Sequence, residues 1–194
     1  MPGNIEIGGG RRRSRWKIPV WGTAALLLPF LAMQVTDEVD WDVADFAIFG
    51  AMLVGAGSIY ELAARMTANS AYRAAVGVAL AAAFILVWMN LAVGIIGAED
   101  NPANLMYGGV LAVGIIGAVI ARFQPHGMAR ALVATAFAQA LVAVIALSAG
   151  LGSLGASWPW SIVMLTGIFI ALWLGSAWLF RKAAREHTPV GAAP

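Results

Sequence analysis

Apolar residues fall in six long runs along the chain, and the charged and turn-forming residues are concentrated between these runs. The runs cover residues 18–36, 44–64, 74–97, 105–121, 131–150 and 160–180. Each run approaches the ~20 residues that a helix needs to cross about 30 Å of hydrocarbon. Because lipid offers no partners for backbone N–H and C=O groups, helices are the expected form of such segments. The pattern therefore predicts an all-α integral membrane bundle of six transmembrane helices.

The composition is also that of a membrane protein. The chain is 61% apolar and 11% charged, whereas about half the residues of a soluble domain are apolar. We expect a flexible basic tail at residues 1–17, a six-helix membrane domain at 18–180 and a second tail at 181–194. The sequence contains no cysteine, which excludes disulfides, thiolate nucleophiles and Cys-ligated metals.

Charge is divided unequally between the two sides of the predicted bundle. When the connections are assigned alternately to the two sides, all 12 basic residues fall on the side that carries both termini. Seven of the 10 acidic residues fall on the opposite side: Asp37, Glu38, Asp40, Asp42, Asp45, Glu99 and Asp100. Because Lys and Arg are enriched in cytoplasmic loops, both termini are predicted to be cytoplasmic.

The first run resembles a signal peptide only in its basic flank. Its apolar part is longer than a usual signal core, and it ends in Ala32-Met33-Gln34-Val35 without a small-residue cleavage site. We therefore expect a retained first helix. The basic cluster before it either anchors the topology or binds anionic lipid headgroups: Arg11, Arg12, Arg13, Arg15 and Lys17.

One octapeptide, LAVGIIGA, occurs twice, at residues 91–98 and 111–118. We interpret the repeat as helix packing, with a duplicated functional element as the alternative. In an antiparallel hairpin of the third and fourth spans, Gly94 lies level with Gly108 and Gly109, and Gly114 lies level with Asn90. Small residues on facing stripes let two backbones approach closely in lipid. The predicted packing residues are Gly94, Gly97, Gly108, Gly109, Gly114 and Gly117.

Four polar residues within or beside the spans are candidates for a pathway or a buried polar role. Asn90 and Gln139 need hydrogen-bond partners, because an unpaired amide in lipid is unfavourable. They serve either as links between helices or as contacts for a ligand or ion. Glu61 is expected to pair with Arg65 four residues later, or to relay a proton or substrate with Asp45 at the other end of its helix.

The two acidic loops are weak candidates for a cation site, since hard cations such as Ca²⁺ take six to eight oxygen ligands. The candidate ligands are Asp37, Glu38, Asp40, Asp42, Glu99 and Asp100. The spacing does not match an EF-hand. A solvated acidic rim and a docking surface for a basic partner are the alternatives, and no metal site is predicted.

Catalytic and cofactor templates do not fit the sequence. His126 lies in a basic turn and His187 in the C-terminal tail, so neither a serine-protease triad nor haem ligation within the spans is supported. Phosphate-binding, metalloprotease and dinucleotide motifs do not occur. The sequence therefore predicts no catalytic residues, no cofactor and no nucleic-acid binding.

The stretch NLAVGIIGAEDNPANL at residues 90–105 resembles a segment of small, hydrophobic bacterial inner-membrane proteins with no assigned activity. The resemblance covers about a tenth of the chain. It implies a multi-pass protein of a bacterial inner membrane and implies no substrate.

Two classes of function remain from these observations, with a third behind them. The first is an accessory, assembly or interaction subunit in the membrane, bound to a membrane-protein partner or to further copies of itself. The second is a small transporter or channel for a cation or small solute that uses the acidic periplasmic mouth. The third is a membrane enzyme that acts on lipid.

Overall fold

The computed structural model describes residues 31, 34, 41–155 and 157–186. Regular structure in these residues is helical throughout and includes no strand. The long helices are α1 (Val43–Met66), α2 (Ser70–Ala92), α3 (Met106–Ile120), α4 (Pro125–Ser148) and α5 (Trp160–Glu186). A short 3₁₀ helix, Pro102–Leu105, leads directly into α3.

The predicted class, an all-helical apolar bundle, is confirmed. Within the described residues, five helical segments of 24, 23, 19, 24 and 27 residues are long and apolar enough to cross a membrane, with the 3₁₀ turn and α3 counted together. The first predicted span, residues 18–36, lies almost wholly outside the described residues. Six spans and cytoplasmic termini therefore stay predictions.

The chain divides into two units at Gly57 and Ser58. In the first unit, Trp41 lies two residues before the start of α1, and its ring packs edge-on against Phe46 and Phe49 with ring centroids 5.1 and 5.4 Å apart. None of the residues that the structure describes in α1 is buried.

Helices α2 to α5 of the second unit form a four-helix bundle. Helix α5 packs against both α2 and α4, α4 also packs against α3, and α2 and α3 meet along a shorter interface. The inner face of α5 repeats at three and four residues, the spacing that keeps side chains on one side of a helix. Its buried stripe is Ile162, Thr166, Phe169, Trp173, Ser176 and Phe180.

Two hydrogen bonds bring the start of α2, the α3–α4 turn and the end of α5 to one end of the bundle, here named the turn end. Asn69 caps α2 by accepting a hydrogen bond from Tyr72 N (2.8 Å), and its Nδ2 donates to Glu186 Oε2 (2.8 Å). The Tyr72 hydroxyl donates to Phe123 O (2.8 Å). Helix α5 therefore continues six residues past the predicted end of the last span, and Ala183 and Ala184 are buried there.

The two copies of the octapeptide adopt different conformations. The first copy leaves the helix, because α2 ends at Ala92 and both Gly94 and Gly97 have positive φ, 72° and 78°. Gly94 N donates to Met89 O (2.9 Å), and its positive φ, which glycine adopts without steric cost, turns the chain out of the helix. The second copy, residues 111–118, lies wholly within α3.

The predicted facing stripes of the third and fourth spans are therefore wrong. Gly94 and Gly97 lie beyond the end of α2, so they form no helical stripe with Asn90. Gly108 and Gly109 are exposed on α3, and a Cβ added to either would meet no other described atom within 4 Å. The more extensive helix contact of α3 is instead with α4.

Gly114 and Gly117 do lie at a helix interface, although their partner is α4. A Cβ on Gly114 would be 3.2 Å from Thr135 Oγ1, and one on Gly117 would be 2.7 Å from Ala131 Cβ. The close approach predicted for small residues in lipid is thus present one helix further along the chain.

Gly117→Leu is expected to force α3 and α4 apart and to lower the free energy of unfolding by about 2 kcal/mol, the usual scale of overpacking. Equilibrium unfolding in mild detergent measures the change. Gly109→Leu is the matched control, because its side chain enters open space and stability should change by less than about 0.5 kcal/mol. Equal stabilities for the two variants would contradict the α3–α4 packing.

Candidate functional site: the glycine loops and the polar core

A buried asparagine organises the loop between α2 and α3. Asn104 Oδ1 accepts hydrogen bonds from Ile95 N (3.1 Å) and Ile96 N (2.9 Å), and its Nδ2 donates to Ala98 O (2.8 Å). Asn104 is 7% exposed, and the two isoleucine side chains are buried. The amide therefore replaces the helical partners that the backbone loses after Ala92.

Two glycine-rich loops pack against each other at the end of the bundle opposite the turn end. These loops, residues 93–101 and 149–155, are here named the glycine-loop cap. A Cβ on Gly152 would lie 2.6 Å from Gly97 N, and both residues have positive φ, 76° and 78°. The absence of side chains allows the two backbones to approach closely.

Below the cap, four side chains of the bundle core carry polar atoms without a partner. Gln139 is fully buried, and neither atom of its amide forms a hydrogen bond within the described residues. The same holds in that part of the chain for the Tyr107 hydroxyl, the Thr166 hydroxyl and the Trp173 indole N–H. The Tyr107 and Thr166 hydroxyls lie side by side, but their relative geometry is not that of a hydrogen bond. We name these four residues the polar core.

Two contacts fix the heights of these groups in the bundle. Tyr107 of α3 lies beside Thr166 of α5, and Gly114 of α3 lies against Thr135 of α4. With a rise of about 1.5 Å per residue, Gln139 lies about 4–5 Å below the Tyr107–Thr166 pair. Trp173 lies about 6 Å further toward the turn end by the same count. The four groups thus form a column through the middle of the bundle.

Asn90 occupies a different place from Gln139. Its Nδ2 donates to Leu86 O of its own helix (2.7 Å), while its buried Oδ1 has no partner among the described residues. It lines a cleft of about 170 Å³ between α2 and α3. Gln139 is not among the residues that line this cleft, so the two predicted amides do not share it.

The two candidate pathway acids have local partners. Arg65 Nε donates to Glu61 Oε1 (3.0 Å), the pair that the spacing predicts. Both side chains are solvent-accessible, at 71% for Arg65 and 39% for Glu61, so the pair adds little stability. Asp45 Oδ2 accepts from Asp42 N (3.0 Å), and Asp42 Oδ1 accepts from Asp45 N (2.9 Å). This reciprocal arrangement caps the first turn of α1.

The remaining acidic candidates do not form a recognisable cation site within the described residues. Glu99 and Asp100 are exposed in the glycine-loop cap, whereas Asp37, Glu38 and Asp40 lie outside the described residues. Within the described ranges, no group of three or more His, Asp or Glu side chains is placed to hold a metal ion. The basic cluster from Arg11 to Lys17 also lies outside them.

Comparison with known protein families, curated proteins and solved structures gives no match.

Sequence reasoning found Gln139 but missed its neighbours and the role of Asn104. Tyr107, Thr166 and Trp173 are single polar groups within apolar runs, and only the packing of three helices brings them together. Asn104 follows the acidic residues Glu99 and Asp100, and no structural role was predicted for it. The available signal was its position after Asn101-Pro102, where a side-chain amide can bond to nearby backbone.

Proposed function

We propose that the protein is a non-catalytic accessory subunit of a bacterial inner membrane, bound to a transmembrane helix of another membrane protein through the outer face of α5. The observation that carries the proposal is a small-residue stripe at four-residue spacing: Gly167, Ala171 and Gly175. All three are exposed. A Cβ on either glycine would meet no other described atom within 4 Å.

Such a stripe suits helix association in lipid. Transmembrane helices associate through close van der Waals packing, and small residues four apart let a second backbone approach. Large apolar side chains border the stripe, with Ile168 52% exposed and Trp178 60% exposed. They would frame a helix that lies along the small residues.

The orientation proposed for the subunit has the turn end in the cytoplasm. The contacts at Asn69 and Tyr72 gather the described basic residues of the second unit near this end: Arg65, Arg73, Arg122, Arg130, Arg181, Lys182 and Arg185. Glu99 and Asp100 lie at the opposite end. A cytoplasmic turn end agrees with the retention of Lys and Arg on that side of the membrane.

A transporter or channel is the second candidate, and the polar core favours it. The unpaired groups there are an amide, a phenol, a hydroxyl and an indole N–H, all of them uncharged. An uncharged solute fits this chemistry better than the cation suggested by the acidic loops, because a buried ion needs a charged or multiply coordinating partner.

The accessory role is tested by measuring whether Gly175→Leu disrupts the complex with the second membrane protein. Wild-type protein extracted from native membranes in mild detergent is expected to carry a stoichiometric second protein, measured by native mass spectrometry. Gly175→Leu and Gly167→Leu should each reduce the occupied fraction at least tenfold while thermal unfolding stays unchanged. Gly109→Leu on α3 is the matched control and should keep the partner.

Three results would overturn this proposal. A monomeric wild-type protein would show that no partner is bound. A complex made only of copies of this chain would indicate a homo-oligomer instead of a heteromer. Retention of the partner by the Gly167→Leu and Gly175→Leu variants would move the interface away from α5.

A further inference from the structure

The polar core combines near-complete burial with unused hydrogen-bonding capacity. Tyr107, Gln139, Thr166 and Trp173 are 1%, 0%, 6% and 3% exposed. Between them they carry five side-chain N and O atoms that have no partner in the described part of the chain. Other buried hydroxyls of the bundle do have partners: Thr135 donates to Ala131 O (2.9 Å), and Ser176 donates to Ala75 O (2.7 Å). Of the eight buried side-chain N and O atoms without a partner in the described residues, five thus belong to the polar core.

The protein groups around Gln139 do not satisfy its hydrogen-bonding capacity. The Gln139 amide has two donor hydrogens and an acceptor oxygen, and it lies at the level of Phe169 and Val110, which are apolar and buried. By the rise per residue, the backbones of its unpaired neighbours Tyr107 and Trp173 lie about one helical turn above and below it. A molecule with its own donors and acceptors can connect buried groups that form no direct hydrogen bond.

We propose that the polar core binds uncharged, water-sized, hydrogen-bonding molecules at Gln139, between the Tyr107–Thr166 pair and Trp173. Buried waters in proteins typically make about three hydrogen bonds to groups that are otherwise unpaired. The amide, phenol, hydroxyl and indole supply both donors and acceptors from three helices. None of these groups is charged, so ions would enter without compensation for their lost hydration.

The proposal does not depend on the accessory role. An interaction subunit with a hydrated core and a channel for small neutral solutes would both contain this site. Tyr107 also lines the cleft between α2 and α3, so the cleft and the polar core share this residue.

The sequence makes a direct test possible, because the chain has no native cysteine. Single variants Gln139→Cys and Thr166→Cys are treated with methyl methanethiosulfonate in mild detergent, and the modified fraction is followed by intact mass. Thiols react as thiolates, and ionisation requires a polar, hydrated surrounding. We expect both variants to react at least tenfold faster than Ala131→Cys and Ala146→Cys, which are buried on α4 about one helical turn beyond either end of the polar core.

A lipid-facing control distinguishes reagent that reaches a thiol from the detergent from reagent that reaches it through the bundle interior. Phe137 is 73% exposed on the outer face of α4, and Phe137→Cys reports access from the detergent. Reaction at Gln139→Cys and Thr166→Cys no faster than at Ala131→Cys or Ala146→Cys would overturn the proposal. So would equal reaction at all five positions, since that would indicate local unfolding.

A second measurement keeps the proposal falsifiable if a cysteine variant fails to fold. Gln139→Leu removes the amide while filling a similar volume. If the amide holds bound molecules, the remaining polar groups lose part of their hydrogen bonding and the thermal midpoint falls. If the core is dry, removal of an unpaired amide raises the midpoint, and this result would contradict the site.

Discussion

Gly152→Ala is expected to lower the free energy of unfolding by about 3 kcal/mol or more, because it combines two separate penalties. An L side chain at positive φ costs roughly 1–2 kcal/mol, and Gly152 has φ 76°. Its new Cβ would also lie 2.6 Å from Gly97 N and 3.0 Å from Ile96 C, so backbone must move, at a typical cost of roughly 1–3 kcal/mol. Equilibrium unfolding in detergent measures the sum.

Gly150→Ala separates the two penalties. Gly150 also has positive φ, 63°, but the nearest atom to its Cβ is Ser153 Oγ at 4.0 Å. This variant should therefore show the conformational cost alone, about 1–2 kcal/mol. If Gly150→Ala and Gly152→Ala lose the same stability, the two loops do not pack as tightly as the glycine-loop cap requires.

Asn104→Leu is expected to destabilise the protein by about 3–5 kcal/mol, because one substitution removes three hydrogen bonds. Ile95 N, Ile96 N and Ala98 O all lose their side-chain partner, and each buried polar group left unpaired costs roughly 1–3 kcal/mol. Faster hydrogen–deuterium exchange at Ile95 and Ile96 should accompany the loss and identifies its origin.

Asn101→Ala is the matched control for this loop. Asn101 Oδ1 accepts only from Ala103 N (3.0 Å) as the cap of the 3₁₀ helix, so its loss should cost about 1 kcal/mol. It should also leave exchange at Ile95 and Ile96 unchanged. An Asn104→Leu protein as stable as Asn101→Ala would show that the buried amide does not hold the loop.

The helical class and most of the span positions were readable from hydropathy, because lipid restricts apolar segments to a few backbone forms. The end of α2 could not be predicted from hydropathy. The apolar run continues to Gly97, but the helix ends five residues earlier, since Gly94 turns the chain and Asn104 captures the freed N–H groups. That capture depends on a side chain nine residues away from Ile95, which periodicity does not reveal.

The candidate site was predictable only in part, for a related reason. Gln139 stands out as a lone amide in an apolar run, and its need for partners was recognisable from the sequence. Which groups surround it depends on the register between α3, α4 and α5, set by contacts such as Gly117 against Ala131. Pairing α3 with α2 instead put the glycines at the wrong interface and left Tyr107, Thr166 and Trp173 unrelated to Gln139.

The two copies of the octapeptide allow the effects of local sequence and of tertiary structure on a substitution to be separated within one protein. Ile95 and Ile96 are 2% and 0% exposed in the loop, whereas Ile115 and Ile116, with the same neighbours over eight residues, are 65% and 58% exposed on α3. An identical substitution in each copy meets the same local sequence, so its effects on the unfolded chain largely cancel in the comparison. The remaining difference reports what the surrounding fold contributes at that position, measured within one molecule and one detergent.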